Sequence, residues 1–117
     1  MKIDPDKIKE AFNIILINLK KNEPISYGEF YKLVGLDHAK NLDRLYGSQL
    51  LEEINTISGK NYMISAFAVS SDEYKPYNGF YLLAEKLGRI RKGSSEAEKD
   101  AFWIEEMARV YNKYKDN

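Results

Sequence analysis

Helix start and stop signals recur along this chain at intervals that force it to fold from several helices of moderate length. Asp4 before Pro5 pairs an N-cap with proline at the first helical position. Behind it Ile8, Ala11, Phe12, Ile15, Leu16 and Leu19 keep helical spacing and form one apolar face, with Ile14 and Ile17 off that stripe. Lys20-Lys21-Asn22 ends the helix and Glu23-Pro24 breaks it. Ser26 and Glu29 read as a capping box for a short helix carrying Tyr27, Phe30, Tyr31 and Val34, which Gly35 terminates. Asp37 is the expected cap of a third helix through Leu42, Leu45, Tyr46, Leu50, Ile54 and Ile57, where Gly47-Ser48 marks a kink or a close contact. Two short helices about a glycine turn are the sequence form of a helix-turn-helix.

After a turn at residues 58–61, Tyr62 to Val69 mixes β-branched and aromatic residues and reads as a strand. Residues 70–78 form a polar loop with Pro76 and room for a second short strand, a wing. Gly79 opens a fourth helix with Phe80, Leu83, Ala84 and Leu87 on one face and Gly88 as its stop. A basic link follows, and Ser95 with Glu98 makes another capping box. The last helix carries Ala97, Ala101, Ile104, Ala108 and Tyr111 on one stripe, and Trp103, Met107, Val110 and Tyr114 on the next. Five helical segments and one strand give the expected class: α+β, mostly helical and winged-helix-like, in one domain over residues 1–117, with the last helix packed on the core.

Size agrees with a single core, since 117 residues make one ordinary domain. The 44% hydrophobic and 31% charged content suits a soluble globule. Cysteine is absent, which removes disulfides, thiolate metal sites and a thiol nucleophile. Apolar runs such as Ile14 to Ile17 are far short of a membrane span, and the acidic start at Asp4 and Asp6 does not resemble a signal peptide. A cytoplasmic location without a membrane partner is the expectation.

A search for catalytic chemistry finds one histidine, His38, with no serine, cysteine or second histidine at a recognisable spacing. It reads as an exposed residue at a helix start. Adjacent pairs Glu52-Glu53 and Glu105-Glu106 point about 100° apart on their helices, so they do not converge on one ion and read as solvated faces. No enzyme activity, metal or cofactor is expected.

Of two binding readings, DNA binding leads, as a small accessory or regulatory protein of bacterial or phage origin. At the start of the third helix His38, Lys40, Asn41 and Arg44 are chemically suited to a DNA groove, Asn for adenine and Arg for guanine or phosphate. Arg89, Arg91 and Lys92, before the serine-capped last helix, are suited to phosphate. Against DNA stand the neutral balance, with 18 basic and 18 acidic residues, and Asp37 and Asp43 among the reading positions. The alternative is a protein-binding module, such as a small inhibitor, using the tyrosine-rich loop at Tyr74, Tyr77 and Tyr81; nine tyrosines are many for this length.

Two stretches resemble a known family. Ser26-Tyr27-Gly28-Glu29-Phe30 through Gly35, followed by the helix with Arg44 and Gly47, is similar to the start of the DNA-binding domain of alkylguanine-DNA alkyltransferases and alkyltransferase-like proteins. Ile64 to Gly88 keeps that family's order of strand, loop with Tyr77-Asn78-Gly79, and helix with Leu82-Leu83. The pattern also resembles short uncharacterised bacterial and phage proteins with a C-terminal helix containing tryptophan and valine-tyrosine, here Trp103 and Val110-Tyr111. The resemblance implies a winged-helix architecture and a DNA face at His38, Lys40, Asn41 and Arg44. It does not imply alkyl transfer, because the family's proline-cysteine-histidine-arginine core has no counterpart in Tyr62 to Val69.

Overall fold

The computed structural model describes residues 2–58 and 61–116. In chain order the elements are α1 (Pro5–Lys20), β1 (Ile25–Ser26), α2 (Tyr27–Leu33), α3 (Asn41–Ile57), a 3-10 helix (Ile64–Phe67), β2 (Ala68–Val69), α4 (Asn78–Lys86) and α5 (Glu96–Tyr114). This is a mostly helical α+β arrangement with one small sheet, in which β1 and β2 pair in parallel, Ile25 with Ala68 and Ser26 with Val69. No helix among the described residues is long and apolar enough to cross a membrane.

The capping chemistry acts where the sequence places it. Asp4 accepts from the Asp6 amide at 2.9 Å, and Ser26 accepts from the Glu29 amide at 3.1 Å. Ser95 and Glu98 form the full reciprocal box. Gly35 and Gly88 sit at φ +81° and +73°, the left-handed region that glycine enters without a Cβ penalty. Behind each, the chain closes a Schellman turn: the Leu36 amide donates to Tyr31 O and the Arg89 amide to Ala84 O, both at 2.8 Å.

Asp37, however, does not cap α3. Its carboxylate accepts from the Ala39 amide while its own amide donates to Asp43 Oδ2. This local turn uses the side chain up, and α3 begins at Asn41 behind Lys40. Leu42, Leu45 and Ile57 are exposed instead of buried, and the buried face of α3 is Gly47, Leu50, Leu51, Ile54 and Asn55. Gly47 is a close contact: a Cβ there would come within 2.5 Å of the Tyr31 ring. The expected turn at residues 58–61 lies partly outside the described residues.

The strand expected over Tyr62–Val69 is a 3-10 turn running into only two residues of strand. Where the backbone groups go explains the difference. The Met63 amide donates to Glu106 Oε2, the Ser65 amide to Asn55 Oδ1, and the Ala66 amide to Met63 O. Trp103 Nε1 donates to Ala66 O. Side chains from α3 and α5 therefore satisfy a segment that a sheet would otherwise have to pair. Three residues per turn then sort the segment by threes. Ile64 and Phe67 join the core of α1, α2 and α3, whereas Met63, Ala66 and Val69 join a second cluster with Phe80, Tyr81, Ala84 and Trp103. Residues 63–70 are all buried, which hides any alternation in the sequence. Residues 70–77, expected to leave room for a wing strand, are bends and turns, with the Ser70 amide donating to Lys75 O.

On α5 only one of the two expected stripes is buried. Trp103 and Val110 point into the protein with Met107 beside them, while Ala97, Ala101, Ile104 and Ala108 are exposed. The centre of the buried face is Glu106, 1% exposed, which corrects its reading as a solvated residue.

Candidate interaction groove

Three helices leave a groove of about 330 Å³ between them. Tyr27 and Tyr31 of α2 line it, Ser48, Leu51 and Glu52 of α3 line one wall, and Gly79, Leu82, Leu83 and Lys86 of α4 line the other. Tyr77, Phe80 and Ser65 complete the lining. Phe80, Tyr27 and Tyr31 are buried because they also close the core, whereas Leu82 and Tyr77 are each a little over half exposed.

The aromatic rings hold one another in place. Tyr27 and Tyr77 stack with centroids 4.4 Å apart, and the Tyr77 amide donates to the Tyr27 hydroxyl at 2.9 Å. That bond satisfies the entrance to α4, whose N-cap Tyr77 has no side-chain acceptor of its own. Burial pushes the Tyr27 phenol up to about 12, opposed in part by the Tyr77 amide. Tyr31 donates to Arg44 O at 2.9 Å across the face of Gly47. Its phenol is also raised by burial, with the Arg44 charge acting the other way.

Of the two tyrosines expected with Tyr77 as protein contacts, Tyr74 is 58% exposed at the tip of the loop. Tyr81 is buried, with its ring edge-on to Phe80 at 5.1 Å, so it packs inside α4 and offers no surface. Its place on the buried stripe with Ala84 is the reason.

The residues expected to meet DNA fall into two separate groups. His38 is exposed and lies edge-on to Tyr31, with centroids 4.9 Å apart. Arg44 Nη2 donates to Asn41 Oδ1, and Nη1 donates to His38 O at 3.3 Å, so the pair meant to read bases is bonded to itself. Lys40 is exposed beside them. At the other end of α3, Arg89 turns inward: Nη2 donates to Glu106 Oε1 at 2.6 Å, and Nη1 to Glu106 Oε2 and Asn61 O, both at 3.2 Å. Arg109 binds the same carboxylate at 2.6 Å and lies over the Tyr62 ring. Arg91 is 3.6 Å from Glu98, and Lys92 is exposed. Asn61 follows the last turn of α3 and Arg44 lies in the first, a separation of roughly 20 Å at 1.5 Å per residue. Arg89, held at Asn61 O, thus lies far from Arg44.

Four residues here are absent from the expected sites: Leu51, Asn55, Ser65 and Glu106. Glu106 had a signal, since positions 103, 106 and 110 share one helical face with Trp103 and Val110. Its pairing with Arg89 and the convergence of Asn55 on Ser65 are products of tertiary packing, without a local signature. Among the described residues no three histidine, aspartate or glutamate side chains come together to hold a metal ion. No protein-family model, curated protein or solved structure matches the chain.

Proposed function

We propose that the chain is a non-catalytic protein-binding module whose contact surface is the groove between α2, α3 and α4. The observation that carries this reading is the pairing of an aromatic groove with half-exposed Leu82 and Tyr77 at its rim. Such a lining resembles the apolar, aromatic-rich centre of protein interfaces. Glu52 and Lys86 stand on opposite walls, so the groove carries no net charge and favours a neutral, apolar segment of a partner.

Duplex DNA is the competing occupant, at the α3 start, and the placement of the cations favours it less. Arg89 is bonded to Glu106 and Arg44 to Asn41, so each guanidinium is already engaged within the chain. The resemblance to alkyltransferase DNA-binding domains, with its winged-helix architecture, supplies the case for DNA. Protein binding requires only the α2–α3 unit and α4 that frame the groove.

The test uses peptides selected from a random display library on the intact, isotope-labelled protein, alongside a salt-titrated duplex DNA assay. Selected peptides are expected to shift the amides of Tyr27, Leu51 and Leu83. Leu82→Glu, at an exposed site, is expected to weaken them at least about tenfold, the loss of one central interface residue. Salt-dependent duplex binding that moves residues 38–44, with no peptide mapping to the groove, overturns the reading.

A further inference from the structure

Asn55 is 1% exposed and sits on the buried face of α3, where an apolar residue would pack at lower cost. Its amide grips Ser65 twice: Oδ1 accepts from the Ser65 amide at 3.0 Å and Nδ2 donates to Ser65 Oγ at 2.9 Å. Nδ2 also reaches Leu51 O at 3.3 Å. With one lone pair of Oγ fixed on the Asn55 amide, the hydroxyl proton must point elsewhere. Among the described residues Ser65 Oγ serves only as an acceptor. Ser65 is 7% exposed, and the groove is the cavity it lines. A hydroxyl has one donor and two acceptor positions, so a buried serine used only as an acceptor holds an unspent donor.

We infer that the Ser65 hydroxyl, oriented by Asn55, is a specificity donor at the floor of the groove, and that it selects a tyrosine side chain of the partner. This rests on the groove being a protein-docking site. An aromatic body suits the rings that line the groove, the stacked Tyr27–Tyr77 pair with Tyr31 and Phe80. An acceptor at the tip completes the Ser65 hydroxyl, and a neutral tip suits walls on which Glu52 and Lys86 balance. Phenylalanine would leave the donor buried and unpaired, the more costly outcome. Asn55 is here a positioning residue and Ser65 the group that touches the occupant.

Two small probes test this on the intact protein: p-cresol, the tyrosine side chain, and toluene, the phenylalanine side chain. Amide shifts of Leu51, Ser65 and Leu83 report binding. Toluene is the more apolar, so hydrophobicity alone ranks it first. The Ser65 donor reverses that order, with p-cresol expected to bind about fivefold more tightly, the value of one net hydrogen bond. Ser65→Ala is expected to abolish the preference for p-cresol and to let toluene bind at least as tightly as before, because no donor is then left unpaired. If toluene binds as tightly as p-cresol, or the preference survives in Ser65→Ala, the Ser65 assignment is overturned while the groove remains a site. If neither probe moves those amides, both the assignment and the groove reading fall. The comparison of the two probes on the unmodified chain decides the matter even if the variant does not fold.

Discussion

The molecule makes the same turn twice with different consequences. Both α2 and α4 are short helices, each stopped by a glycine in a Schellman turn and followed by a longer helix. After Gly35 the chain is held by neighbours in sequence: Asp37 with Ala39 and Asp43, Arg44 with Asn41 and His38. After Gly88 it is held by residues far along the chain: Arg89 enters a buried carboxylate on α5 and also binds Asn61 O. The Schellman turn sets only where a helix ends. Tertiary partners decide whether the next residue remains at the surface or becomes part of the core.

The largest expected effect separates the two turns directly. Glu106→Ala leaves the Met63 amide without its acceptor and the Arg89 guanidinium with Asn61 O alone, at a site that is 1% exposed. Removing one partner of a buried pair costs about 3–5 kcal/mol. The lower end is expected because Arg89 and Arg109 keep 22% and 43% side-chain exposure and can rehydrate. Arg44→Ala, which removes only contacts on an exposed turn, is expected to stay within about 0.5 kcal/mol. Urea denaturation of both variants measures the contrast, and equal losses would break it.

This contrast also shows what was legible in the chain. The starts of α1, α2 and α5 follow from side chains bonding to backbone a few residues away, and the stops of α2 and α4 from glycine at positive φ, so local sequence carries them. The start of α4 instead takes its bond from distant Tyr27. Residues 63–69 were not legible, because their amides are satisfied by Glu106 and Asn55 from other helices. Nothing in Met63-Ile64-Ser65-Ala66-Phe67 itself distinguishes a 3-10 turn from a buried strand. The candidate groove was legible only in part. Tyr77 marked its rim, but Tyr81 turned inward, and the Ser65 floor needs α3 in place before it exists.

A second effect compares the tyrosines of the two short helices. Burial pushes both Tyr27 and Tyr81 up to about 12 from an ordinary 10.0. The unfolded chain gives up these protons near pH 10 while the folded chain keeps them. Their contribution is therefore fully present below pH 10 and is lost as pH rises through 12. For Tyr27, 7% exposed, the loss is about 2–3 kcal/mol across that window. Tyr27→Phe and Tyr81→Phe are each expected to flatten part of the fall. Only Tyr27→Phe also costs about 1 kcal/mol at neutral pH, because it deprives the Tyr77 amide of its acceptor. Denaturation midpoints at pH 8 and pH 11 measure both effects.

The smallest effect is the sharpest test of the comparison, because it changes the two turns in the same way. A Cβ at Gly35 or Gly88 meets nothing within 4 Å, so alanine at either site adds only the strain of positive φ. That strain alone is about 1 kcal/mol at each. If the turns differ only in sequence, the two variants lose equal stability. Arg89 follows Gly88 immediately, however, and its guanidinium must reach Glu106 at 2.6 Å, a geometry that a relaxed turn would disturb. Leu36 follows Gly35 and is only partly buried, with no long-range bond to lose. Gly88→Ala is therefore expected to cost more than Gly35→Ala, and the excess should vanish in a Glu106→Ala background, where Arg89 has no carboxylate to reach. An excess that persists there would assign the difference to the turn itself, whereas its disappearance ties the second turn to the buried carboxylate.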